Sequence, residues 1–421
     1  MKITTSFDAL DSGIAILSGV VSDKMANDSL KNIIFHINPN GTIHLVAYNT
    51  IVTCYTELEA TVDWGDTAPE ETYFQLKSEV SKVLGTYKGL TKTCVSKIEI
   101  VPDEINTTLS VFEEPLDTQD VYAEKYRNVT KHRVASPKFP SGIRKELENR
   151  NLANEGVVMS SPDIKAYLDT LVATIPADSR DSVGTRIMVK GDTIYTAPQL
   201  YFAMMENKLD ESFADFVLPT SAANFLKSFL TFEDTVQFSK TQLESVILLK
   251  FVNSKSVAFV AALPATNALD CTPHKAHSNT GIVIDKQYFN DLLKRAPSQD
   301  ACVVDIEICG DGTASGKIMS KTWKQDFVVL KSRLDEKDFE GHSYLTGTGE
   351  NAKLSLNFSI RAELLKQLIF AQTNIFEDKV FMYFEAAGNT GIRLACRDDT
   401  GIWQTKINTL TPKRGEFNWE D

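Results

Sequence analysis

No two of the chain's six cysteines stand in a CxxC pair; Cys54, Cys94, Cys271, Cys302, Cys309 and Cys396 are scattered through 421 residues. That spacing argues against a disulfide framework and fits reduced thiols. No window reaches eighteen consecutive apolar residues, so no membrane helix is expected. The opening MKITTSFDALDSGIAIL has one Lys, no long apolar stretch and no small-residue cleavage site, and the expectation is a cytoplasmic protein. A Walker loop, a GxSxG elbow, a GxGxxG fingerprint and an HExxH helix are all missing. Phosphate-cradling, nucleophilic and zinc-protease chemistry therefore have no starting point, and neither an enzyme nor a cofactor is expected. Cys271, His274 and His277 in CTPHKAH come nearest to a metal set, but they fall in a polar linker and no metal is assigned. His36, His44, His132 and His342 are isolated in the sequence.

What is present is the composition of a globular protein with room for two to four domains, 43% apolar and 24% charged. The net charge of −12 counts against gripping nucleic acid over most of the surface, because phosphates are met by Lys and Arg. It leaves open a protein that is acidic outside and carries its basic residues on an inner wall.

Periodicity shows one unit written six times: a short strand, an amphipathic helix of about three turns, then up to three extended segments. The first copy runs from strand Lys2 to Thr5 into a helix with Phe7, Leu10, Ile14 and Leu17 at helical spacing. Strands over 32–37, 42–47 and 51–60 follow as an antiparallel meander behind that helix, the first two joined by Asn38-Pro39-Asn40-Gly41. The second copy has strands at 73–76, 97–101, 107–112 and 129–134 around a helix with Val80, Val83, Leu84 and Tyr87. The third starts at Val157, with Ile164, Leu168, Leu171 and Val172 on its helix and strands over 186–189, 193–196 and 200–205. The fourth has strand 216–218, a helix with Phe225, Leu226, Phe229 and Leu230, and strands over 236–239, 245–251 and 256–263. The fifth runs from 281–284 through Phe289, Leu292 and Leu293 to strands over 302–308, 313–319 and 323–330. The sixth has strand 354–358, a helix with Leu364, Leu365, Leu368 and Ile369, then 380–385, 392–396 and 403–407.

Uneven spacing excludes a solenoid. Breaks rich in Pro, Gly and charge pair the modules into three α+β domains: 1–136, 156–264 and 280–412, with linkers 137–155 and 265–279 and a tail 413–421.

Two strand-helix-strand-strand-strand modules per domain, through three domains, resemble the bacterial DNA sliding-clamp family over nearly the whole chain. The passages most like the family are MKITTSFDALDSGIAILSGVV, SLKNIIFHINPNGTIHLVAYN, FVLPTSAANFLKSFL and LSLNFSIRAELLKQLI. Insertions at 114–125 and 331–351 and the long tail depart from the pattern, as in a divergent bacteriophage member. The resemblance implies helices inside and antiparallel sheets outside, a head-to-tail homodimer that encircles duplex DNA, and DNA polymerase and a clamp loader as partners in a bacterial or infected cell. A monomeric polymerase accessory factor and a sheet-built virion or scaffold protein remain the alternatives.

On the implied inner helices, about 100° of rotation per residue places Lys82, Lys227, Lys294 and Lys366 opposite the apolar stripes. Lys227 and Lys366 follow the paired apolar positions Phe225-Leu226 and Leu364-Leu365 alike. Arg295 lies nearer the flank, and Lys165 is a further DNA-facing candidate. The family's hydrophobic pocket for partner peptides maps onto Thr196, Pro198 and Leu200 in TAPQLYF and onto Ile407 and Leu410 in the last strand. Ordinary solvated helix faces and core positions are the competing reading for both sets.

Overall fold

A computed structural model of the chain describes residues 1–21, 28–116, 128–139, 151–153, 155–175, 183–197, 201–231, 233–269, 278–295, 301–320, 323–362, 365–366, 379–387, 391–397 and 403–409. The chain divides into two compact units, Met1–Pro162 with Asn224–Ala262, and Asp163–Ala223 with Leu263–Asp421. This division runs through the stretch read as the second domain.

The six modules are recognisable element by element. The first holds β1 (Lys2–Thr5), α1 (Phe7–Ser18), β2 (Asn32–Ile37), β3 (Ile43–Tyr48), β4 (Val52–Leu58) and β5 (Ala60–Asp63). The second holds β6 (Thr72–Lys77), α2 (Val80–Gly85), β7 (Thr93–Val101), β8 (Asn106–Pro115) and β9 (Asn128–Ala135). The third holds β10 (Val157–Ser160), α3 (Ser161–Ala173), β11 (Ile187–Lys190), β12 (Thr193–Thr196) and β13 (Tyr201–Glu206). The fourth holds β14 (Phe216–Leu218), α4 (Thr220–Phe229), β15 (Thr235–Gln242), β16 (Ile247–Val252) and β17 (Ser256–Pro264). The fifth holds β18 (Gly281–Asp285), α5 (Lys286–Lys294), β19 (Ala301–Cys309), β20 (Ala314–Ser320), β21 (Trp323–Phe327) and β22 (Lys331–Arg333). The sixth holds β23 (Leu345–Thr346), β24 (Lys353–Arg361), a helical turn at Ala362, Leu365 and Lys366, β25 (Lys379–Ala387), β26 (Gly391–Arg397) and β27 (Trp403–Thr409).

Local chemistry sets these boundaries. Ser6 caps α1, its Oγ accepting from the Ala9 amide at 3.1 Å, and Asp285 caps α5 by accepting from Tyr288 at 2.7 Å. Leu10, Ile14 and Leu17 are buried along one face of α1, as their spacing requires. Gly41, at φ +89°, closes the β2–β3 turn in a conformation that a side chain would strain.

The antiparallel meander expected in the first module is present as β2–β3–β4. β1 does not join β2–β3–β4; it pairs with β5 and with β7 of the second module, while β6 pairs with β2 of the first. The same exchange recurs as β10 with β15 and β14 with β11, and as β18 with β25 and β24 with β19. Each module's first strand thus completes its neighbour's sheet. A lone module would leave a row of backbone donors and acceptors open.

In the first unit one sheet runs β5–β1–β7–β8–β9, and a second follows β10–β15–β16–β17–β4–β3–β2–β6. In the second unit, pairings follow β22–β18–β25–β26–β27–β13–β12–β11–β14, where Leu263 and Pro264 at the end of β17 also pair with β14. Its other sheet runs β21–β20–β19–β24–β23.

Two extended runs break where one strand was expected. Residues 51–60 divide at Glu59, beyond which β5 turns onto β1, and residues 323–330 end as a strand at Phe327, beyond which β22 pairs with β18. The insertion 331–351 is anchored by Asp338, whose Oδ2 accepts from Asn279 N at 2.9 Å, Thr280 N at 2.9 Å, Thr280 Oγ1 at 2.8 Å and Ser278 Oγ at 3.0 Å.

Gly316 shows how closely the second unit is packed. A Cβ there would lie 2.1 Å from the Phe327 ring, which itself meets Phe289 of α5 edge-on at 5.0 Å. Gly316→Val is expected to destabilise the protein by about 1–3 kcal/mol through overpacking. Adding Phe327→Leu should recover part of that loss in urea unfolding; strictly additive losses would show that the ring is not the obstacle.

Candidate nucleic-acid and partner interfaces

The six basic candidates divide by what holds them. Lys82 is exposed on α2 between the fully buried Val80 and Leu84. Lys227 and Lys366 are half-buried and follow the buried Leu226 and Leu365, so their equivalent placement survives in three dimensions. Lys165 and Lys294 are engaged by carboxylates on their own helices: Lys165 Nζ lies 2.6 Å from Asp169 Oδ2 and Lys294 Nζ 2.9 Å from Asp291 Oδ1. The hydrogen bond from Lys294 holds the Asp291 carboxyl below the usual carboxylate range. Arg295 is exposed, donates to Gln325 Oε1 at 3.1 Å, and its charge also helps to hold the Asp291 carboxyl down. The first helix carries no base; its Asp11 meets Lys88 Nζ at 2.9 Å.

The two stretches expected to form a docking site come together in one sheet. Within the second unit, Thr196 pairs with Ala203 across β12–β13, and Tyr201 pairs with Ile407 across β13–β27. Thr196 itself is fully buried, with its Oγ1 donating to the Gly184 carbonyl at 3.1 Å. It supports the strand from within. Pro198, Leu200 and Leu410 lie outside the described residues, as does the side chain of Ile407.

Two further strands were not singled out in the sequence. β9 and β21 stand at the ends of their sheets, and each has one side unpaired among the described strands. β9 exposes Lys131 and Arg133, with Val129 46% exposed and Leu116 nearby 58% exposed. β21 exposes Lys324 and Asp326 and is followed by Val328 and Leu330, 58% and 46% exposed. Alternation reveals such strands, but only pairing reveals which of them are edges.

Among the described residues no group of three or more His, Cys, Asp or Glu is arranged to hold a metal, and no helix is long and apolar enough to cross a membrane. The stretch with Cys271, His274 and His277 lies outside the described residues.

Thr196→Val removes the buried hydroxyl while keeping the volume. The Gly184 carbonyl still accepts from Ala197 N at 2.8 Å, so the expected cost is about 1 kcal/mol in urea unfolding. Peptide binding should be unchanged. Weaker binding without loss of stability would put Thr196 in contact with partners.

No family model matches the chain, and no curated protein matches it. Solved structures do. The DNA polymerase III beta subunit of Thermotoga maritima is similar with a TM-score of 0.70 at 12% identity, over 98% of this chain and 100% of that one. The DNA polymerase sliding clamp of Bacillus subtilis gives 0.68 at 14%, and the beta subunit from DNA polymerase of Streptococcus pyogenes 0.66 at 13%, with the same coverage. The chain has the α+β fold of these bacterial sliding clamps over 98% of its length, at 12–14% sequence identity.

Proposed function

We propose that the protein is a DNA sliding clamp, a non-enzymatic processivity factor whose ring encircles duplex DNA and tethers a DNA polymerase delivered with the help of a clamp loader. The observation that carries this reading is the fold likeness over the whole chain, which leaves no additional domain to supply another activity within it. The insertions and tail fit a divergent, phage-encoded member, working in the cytoplasm of an infected bacterium. Three two-module domains are the natural division, because each first-strand exchange closes within one pair of modules.

The pairing of the third strand after each helix supports a ring of two copies. That strand of the first module, β4, pairs antiparallel with its counterpart β17 of the fourth, and β13 of the third pairs antiparallel with β27 of the sixth. By the same rule β9 of the second module and β21 of the fifth are left for each other, and within one chain they are not paired. A second copy satisfies both edges head to tail, and a rotation that closes gives a ring. An antiparallel alignment that sets Val129 opposite Val328 puts Lys131 opposite Asp326, which Lys317 of its own sheet reaches at 3.9 Å, and Arg133 opposite Lys324.

A ring holds DNA by topology, so its inner contacts need only be weak and unspecific. Lys82, Lys227, Lys294 and Lys366 are the candidates for these contacts, with Arg295 and Lys165 as further ones; Lys165 and Lys294 also pair with Asp169 and Asp291 on their own helices. Polymerase and loader peptides are assigned to the face near β13 and β27.

Light scattering should give twice the chain mass, and loaded protein should stay on nicked circular DNA and leave after linearisation. Equal loss from both forms would sink the ring. Lys131→Glu, which sets a carboxylate opposite Asp326, should shift the dimer toward monomer at micromolar concentration. Lys82→Glu, Lys227→Glu and Lys366→Glu should lower the log–log salt slope of DNA binding by about 1 per lysine that meets a phosphate. An unchanged slope would remove these residues from the inner wall.

A further inference from the structure

The face of the β6–β2–β3–β4 sheet that carries Ile34, Val46 and Tyr55 also carries a row of titratable groups. Cross-strand register sets Tyr73 opposite His36, His36 opposite His44 and His44 opposite Glu57. The rings form a column: Phe139 on Tyr73 at 5.1 Å and 13°, Tyr73 on His36 at 4.4 Å and 7°, and His36 near His44 at 6.0 Å and 36°. Glu71 ties the middle of the column, its Oε1 lying 2.9 Å from His36 Nε2 and accepting from Tyr73 Oη at 3.0 Å.

Phe139 belongs to the chain leaving β9, and the same stretch is fixed by Ser136 Oγ donating to the Gln75 carbonyl and Gln75 Nε2 donating to the Lys138 carbonyl, each at 2.9 Å. Together with Leu152, Phe139 packs on a buried cluster of Ile34, Val46, Tyr55, Val252, Val257 and Phe259. The ring column is thus one fastening of this segment to the sheet.

We propose that this row is an acid-sensitive fastening: neutral His44 lets the column hold Phe139 on the sheet, and a proton on His44 unseats it and uncovers the apolar cluster. The geometry gives two reasons. A cationic imidazole carries a proton on both nitrogens, and His44 Nδ1 is buried with no hydrogen-bond partner, so a donor placed there has nothing to meet. A cation on His44 would also sit one ring away from His36, whose Nε2 already engages Glu71. Glu57 is the acid on the opposite side, and it is itself near Lys255, which pairs with Glu59 at 2.6 Å. Burial, and then the charge on His36, hold the His44 pKa below the usual imidazole value, with Glu57 opposing. A lowered histidine pKa means that the closed state binds the proton less tightly than the open one. The fastening is therefore complete above the usual imidazole range and weakens as pH falls through it.

The test is amide hydrogen exchange of the full-length protein between pH 7.5 and 5.5, corrected for intrinsic exchange and read on peptides covering 72–77 and 134–139. One linked proton predicts up to about a tenfold loss of protection per pH unit in the native protein. His44→Gln should abolish that pH dependence, and Glu57→Gln, which leaves the column in place and removes the group that favours the proton on His44, should leave its onset in place and extend the loss of protection to lower pH. Protection that is flat with pH in the native protein, or that falls equally in His44→Gln, or a Glu57→Gln profile that coincides with the native one, would overturn the proposal. None of these readouts depends on DNA or on ring assembly.

Discussion

The constraint beneath the whole structure is that a β-sheet cannot leave its backbone groups unpaired inside a protein. In this chain each module surrenders its first strand to its partner and receives one in return, so six units that look independent in sequence are bound two by two. The helices follow from that exchange, because the helix after each first strand must return to the sheet of its own module. Its apolar stripe is then buried and its polar face is turned away, which is where basic side chains such as Lys82 and Lys227 are found.

The elements themselves were legible because they are short, alternating or helical in period, and closed by turn residues. Helices α1, α3, α4 and α5 and nearly every strand stand where period and turn chemistry put them. Strand exchange was not legible, since period sets which face of a strand is buried and is silent on which strand lies beside it. The breaks at Glu59 and after Phe327 were missed for the same reason: the residues on both sides are extended, and only a change of pairing partner separates them.

The candidate sites show a similar limit. Helical rotation singled out Lys82, Lys227, Lys294 and Lys366 alike, and passed over Asp169 and Asp291, which stand at helical spacing to pair with Lys165 and Lys294. Thr196 lies in the expected sheet and is fully buried. Its neighbours on β12 are buried on both faces, so alternation carries no signal of accessibility there. His36 and His44 looked isolated because they were read along the chain. Once Asn38 to Thr42 is accepted as the turn, with Ile37 opposite Ile43, the next pair across the hairpin can only be these two histidines.

Edges carry the argument from fold to assembly. A protein can protect an edge by capping it, and this chain does so where β5 covers β1, β22 covers β18 and β23 covers β24. It leaves β9 and β21 uncapped and flanks them with exposed valines and leucines, which a lone soluble chain would have reason to avoid. The net charge of −12 makes the same point from another side, since like-charged copies repel unless a specific contact holds them. In the proposed ring the apolar ends, with Lys131 opposite Asp326, would supply such a contact. Two complementary edges on one chain are what that proposal needs for a tandem array of sheets to close on a second copy.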